Sequence, residues 1–145
     1  MHSTDHSEGL RARHYGVASV RDALSDARRR ALATIADLSD EQVRVPHQAG
    51  VNPILGELGH VAHFAELWTL RGPHRTGEDG FIYAARPPVV LGPDAVFDSA
   101  RIAHPDRWRI ELPSRTEMLD QLGRSLEVVR AALDQTSDDD AGLYF

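Results

Sequence analysis

The sequence predicts an all-α fold, an up-down helical bundle forming one domain. Three observations carry this expectation. Three long segments place apolar residues at alternating spacings of three and four, the period of a helix that buries one face. Each has helix-start residues ahead of it. At 145 residues, with 41% hydrophobic and 26% charged side chains, the chain is large enough for a core without crosslinks.

The order begins with residues 1–16, which lack periodicity and read as a flexible arm. A first helix is expected from about Ser19 to Asp37. Ser19 and Asp22 give its start, and Val20, Leu24, Ala27, Ala31 and Ile35 give its stripe. Ser39-Asp-Glu-Gln42 has the form of a capping box, and Pro46 and Gly50 mark a loop. A central helix follows, in which Asn52 is the expected cap and Pro53 the first residue. Gly72-Pro73 is its stop signal. Its expected core stripe is Ile54, Leu58, Val61, Ala65 and Trp68.

Residues 73–113 form a long connection with weak periodicity, expected to hold an extended piece at Phe81–Tyr83 and a short helix at Ala95–Arg101. A connection of that length is uncommon unless it carries function or packs on something else. The third long helix opens with the capping box Ser114-Arg-Thr-Glu117. It carries Met118, Leu122, Leu126, Val129 and Leu133, and should end near Gln135. Ser137 and the three aspartates after it then read as the start of a fourth helix, cut short where Leu143, Tyr144 and Phe145 turn apolar.

Composition excludes several chemistries. There is no cysteine, hence no disulfide and no thiolate ligand. All sixteen basic residues are arginine, which excludes a lysine Schiff base and a Walker-type phosphate lysine. A net charge of −6 with no basic patch beyond Arg28–Arg30 argues against nucleic acid. No apolar run is long enough to span a bilayer, and the polar N-terminus lacks a signal-peptide core, so the expected compartment is the cytoplasm.

The central helix contains HVAHFAE, with His60 and His63 one turn apart and Glu57 and Glu66 nearby. Neutral imidazoles bind iron, zinc and nickel, and a carboxylate can complete or orient such a site. From spacing alone a hydrogen-bonded histidine is the better reading of His60, and a polar residue at the helix boundary that of His63. Arg107 and Arg109 have the planar fork that suits a carboxylate, or they are surface arginines on a loop. Ser99 and Ser114 lack the context of a nucleophile.

The stretch ELGHVAHFAELWTLRG, preceded by NPI, resembles the first metal-ligand helix of the DinB-like domain of ergothioneine-type sulfoxide synthases. FDSARIAHPDRWRIELPSR and ADLSDEQ resemble neighbouring segments of the same family. GFIYAARPPVVLGPDAVFDSARIAH is most similar to its selenoneine synthase branch. The resemblance spans nearly the whole chain from about residue 17. It implies a DinB-like four-helix bundle, here lacking most of the fourth helix, with a C-terminal domain that packs on it and supplies much of the substrate pocket. It implies a non-haem Fe(II) enzyme that uses oxygen to join sulfur or selenium to the imidazole of hercynine (trimethylated histidine). His60 matches one of three histidine ligands, the other two lying beyond the chain. His63 matches a position that is not a ligand. His104 and Arg107 match basic residues that bind the thiol donor, and a histidine at the first leaves open whether that donor is a thiol or a selenosugar. By this reading the fragment alone is inactive. Two other readings fit the residues. One is a stand-alone DinB-like thiol transferase drawing further ligands from His14, His47 or His104. The other is a non-enzymatic helical module that pairs with a partner.

Overall fold

In the computed structural model, residues 16–138 are described. They contain helices α1 (Val17–Ile35), α2 (Ile54–Leu70), α3 (Asp94–Phe97) and α4 (Arg115–Asp134). Strands β1 (His74–Thr76) and β2 (Ile82–Ala84) form an antiparallel hairpin between α2 and α3, with Arg75 opposite Tyr83. The arm and the apolar tail anticipated from the sequence lie outside the described residues. The chain divides into two compact units, one of residues up to Asp37 and from Arg130 onward, the other Leu38–Val129.

In the first unit, α1 starts two residues earlier than its local signals indicate. Its first donor is capped from far along the chain, where Asp138 accepts from the Val17 amide at 2.7 Å, so Ser19 is not needed as a cap. Arg21 pairs with Asp134 at 2.7 Å, and Asp26 accepts from Arg29 and Arg30 one turn on.

The second unit opens with a 3-10 turn at Gln42–Arg44. The expected capping box closes there in both directions: the Ser39 amide donates to Gln42 Oε1 at 2.8 Å, and the Gln42 amide to Ser39 Oγ at 3.2 Å. The box at Ser114 forms as well, with the Ser114 amide 2.9 Å from Glu117 Oε2 and the Glu117 amide 3.3 Å from Ser114 Oγ. Behind it α4 buries Met118, Leu122, Ser125 and Val129, the 4-3-4 rhythm of one helical face. Leu126, expected inside, is half-buried, and Ser125 takes its place.

The central helix departs from expectation in two ways. Asn52 is not its cap; Pro53 holds that position and the Asn52 side chain accepts from Arg107 instead. The buried face is also rotated from the anticipated stripe. Val61 is 56% and Trp68 42% exposed, while Leu55, Leu58, Gly59, Ala62, His63, Glu66 and Leu67 are buried. The cause is polar: α2 turns three ionisable residues inward because the 73–98 connection lies against that face and supplies their partners.

Those partners are specific. Arg71, 3% exposed, forks onto both carboxylate oxygens of Asp94 at 2.7 and 3.0 Å, and its Nε donates to the Arg86 carbonyl. Glu66, 1% exposed, accepts from the amides of Val89 and Val90 through one oxygen; its other oxygen has no partner among the described residues. The hairpin is pinned by Arg101, which lies 4.8 and 4.4 Å from the Phe81 and Tyr83 rings and donates to Asp98 and the Ile82 carbonyl. The Gly77-Glu-Asp-Gly80 turn depends on Gly80 at a φ of +81°. The extended piece expected at Phe81–Tyr83 is thus the second strand of a hairpin, and the helix expected at Ala95–Arg101 is shorter and earlier, at Asp94–Phe97.

If Glu66 anchors the connection, Glu66→Leu strands two amides and should cost about 1–3 kcal/mol in denaturant unfolding. Glu66→Gln, which keeps an acceptor oxygen, should cost less.

Candidate functional site

The residues around His60 are brought together by three short pieces of the second unit. Gly59 on α2 has no side chain, and a Cβ there would overlap the Phe97 ring and lie 3.2 Å from Met118 Cε. That space lets the end of α3 close onto α2. As a result the Phe97 carbonyl stands 3.1 Å from His60 Nδ1, and Ser99 Oγ stands 3.3 Å from Nε2. A carbonyl only accepts, so Nδ1 carries the proton and Nε2 holds the lone pair in the neutral ring.

A second strap ties the turn at His104–Trp108 to the loop before α2. Trp108 Nε1 donates to the Val45 carbonyl at 2.9 Å, and His104 Nε2 lies 2.8 Å from the Val51 carbonyl. The Arg107 guanidinium donates to Asn52 Oδ1 at 2.7 Å and to the Ser99 carbonyl at 3.1 Å. A cleft of about 30 Å³ remains between the straps, lined by Glu57, His60, Phe97, Ser99 and Arg107 with apolar neighbours. It is of the order of one water-sized space.

Arg107 and Glu57 are the charged side chains in the lining of this cleft. Both acceptors of Arg107 are neutral, and its Nε is buried without a partner among the described residues. Among the described residues no carboxylate pairs directly with Arg107, and an anion joining its guanidinium would offset the cost of burying it.

The structure therefore brings His60 and Arg107 to one cleft and leaves His104 outside it. The His104 ring packs on Trp108 and His47, with centroids 5.0 and 5.8 Å apart. His63 does not share a focus with His60 either. Their rings stack at 6.4 Å, but His63 is 3% exposed and turned toward Asp94, 3.6 Å from its Nδ1. Glu66 points into the connection, whereas Glu57 stays at the cleft. Among the described residues no three His, Cys, Asp or Glu side chains form a group able to hold a metal. Sequence reasoning missed Asn52 as the partner of Arg107 and Ser99 as the link between Arg107 and His60. Neither has a local pattern, since Asn52 lies 55 residues from Arg107 and Ser99 lies 39 from His60.

A family model described as DinB superfamily matches residues 23–145. The chain belongs to the DinB superfamily. The mostly helical architecture agrees with the all-α, DinB-like fold class read from the sequence. DinB-superfamily domains are associated in general with metal binding. No curated protein matches the chain. No helix among the described residues of this DinB domain is long and apolar enough to cross a membrane.

Two titrations on the buried face of α2 act in the same direction. Burial holds the His63 imidazole below its ordinary value of 6.5, and the Arg71 guanidinium holds the Asp94 carboxyl below its ordinary 3.8. In each case the folded chain binds fewer protons than the unfolded chain, so stability rises with pH. Lowering the pH through about 6.5 should therefore weaken folding, with a second loss once the pH falls through the Asp94 range. Urea midpoints measured across pH should show the upper step shrinking in His63→Gln and the lower one in Asp94→Asn. At the close approach, Gly59→Ala should cost about 1–3 kcal/mol by overpacking, although alanine favours a helix.

Proposed function

We propose that this DinB-superfamily domain supplies His60 as one ligand of an Fe(II) site, in an enzyme joining sulfur or selenium to the imidazole of hercynine with oxygen. The observation that carries the reading is the meeting in one cleft of a His60 ring whose Nδ1 faces a backbone carbonyl with an arginine whose two acceptors are neutral. An Nδ1–H held by a backbone carbonyl, with Nε2 left as a lone pair, is the arrangement typical of a ligating histidine. Bound iron supplies the activation of oxygen in such chemistry.

The chain's own residues fit this group in part. His60 offers a neutral nitrogen donor, and a catalytic iron site needs about three protein ligands. By the sequence resemblance, the others lie outside residues 16–138. Arg107 would hold a carboxylate of the sulfur or selenium donor through its planar fork. His104 would stand at the outer edge of that donor site, on the strap that positions Arg107. Within the superfamily, the sequence resemblance favours the sulfoxide and selenoxide synthases, and residues 80–104 favour the selenoneine branch.

Anaerobic titration of the chain with Fe(II) should give weak binding that His60→Ala abolishes and Arg107→Ala leaves in place. Tight binding that survives His60→Ala would refute the assignment. Arg107→Ala should in turn weaken binding of cysteine, a thiol bearing a carboxylate, by about tenfold or more.

A further inference from the structure

We infer that Ser99 is a positioning residue that occupies the metal-facing nitrogen of His60 until a metal displaces it. The inference rests on the reading of His60 as a ligand through Nε2. Its geometry is independent of that reading. With Nδ1–H engaged by the Phe97 carbonyl, the Ser99 hydroxyl at 3.3 Å has only a lone pair to meet at Nε2, so it donates. Phe97 is the last residue of α3 and Ser99 follows two residues later, and together they grip both nitrogens of one ring.

Ser99 is itself held from the other side, since its carbonyl accepts from Arg107 at 3.1 Å. The serine thus lies between the nitrogen proposed to bind metal and the guanidinium proposed to bind the donor. Its hydroxyl keeps the ring oriented and its lone pair satisfied in a half-buried place where an open acceptor would be costly. A cation approaching Nε2 has to break that hydrogen bond first. The bond therefore counts against metal affinity, while the Phe97 carbonyl alone suffices to keep the tautomer.

The test uses the full 145-residue chain with Co(II), an air-stable probe, and the variants Ser99→Ala, Ser99→Thr and His60→Ala. Ser99→Ala should bind Co(II) about fivefold more tightly, the loss of one ordinary hydrogen bond. Ser99→Thr, which keeps the hydroxyl, should match the native chain. Equal or weaker binding by Ser99→Ala, with His60→Ala still losing Co(II), overturns the role of Ser99 alone. Binding that survives His60→Ala overturns the ligand reading beneath it. A second readout needs no metal: the ¹⁵N signal of the His60 ring in the apo chain. Nε2 should be unprotonated and should move toward the unbonded position in Ser99→Ala. A proton on Nε2, or a signal that ignores the substitution, refutes the inference even where Co(II) binding is weak.

Discussion

The buried polar face of α2 is the constraint on which the rest of the second unit depends. A helix that buries His63, Glu66 and Arg71 while leaving Val61, Phe64 and Trp68 exposed would be unstable alone. It becomes stable only when another segment brings acceptors and donors to it. The 73–98 connection does so with the Asp94 carboxylate, the Arg86 carbonyl and the amides of Val89 and Val90. Removing any one of these leaves a desolvated group behind, so the contacts specify a single seating of the connection. An apolar contact of the same area would tolerate sliding.

That seating positions the chemistry. Once Asp94 is fixed on Arg71, α3 begins beside the helix, and Phe97 drops into the space left by Gly59. The Phe97 carbonyl then reaches His60 Nδ1, and two residues later Ser99 reaches Nε2. The turn at 104–108, strapped to the loop before α2 through Trp108, His104 and Arg107, closes the other side. The orientation of the His60 ring and the placement of Arg107 are thus consequences of how one long connection is anchored at both ends. In the proposed function, the same anchoring lets one helix present a metal ligand and face it with an anion-binding residue.

Much of the fold was legible in the sequence, for reasons that are local. The capping boxes at Ser39 and Ser114 form as read, because a serine and a glutamine or glutamate three residues on can satisfy each other's backbone wherever they lie. The α4 face was legible from Met118, Leu122 and Val129, whose rhythm no polar residue contradicts. The orientation of α2 was not, because hydrophobic periodicity assumes that charged residues face water. Asn52 misled for a similar reason: its identity fits a cap, and only a partner fifty-five residues away, Arg107, claims it for another bond. The hairpin was half legible, through the extended piece at Phe81–Tyr83, whereas β1, His-Arg-Thr, has no apolar residue to mark it. His60 was singled out by its spacing and Arg107 by its residue type. Nothing local could show that they meet, nor that His104 lies outside their cleft.

Native-state hydrogen exchange tests the central claim most directly, through the amides of the connection. If the polar face of α2 holds the 73–98 segment in place, the amides of Ala85, Arg86, Val89 and Val90, bonded to Pro73, Arg71 and Glu66, should exchange as slowly as those in the middle of α2. Exchange of these four amides at the rate of an open loop, while α2 remains protected, would contradict the account.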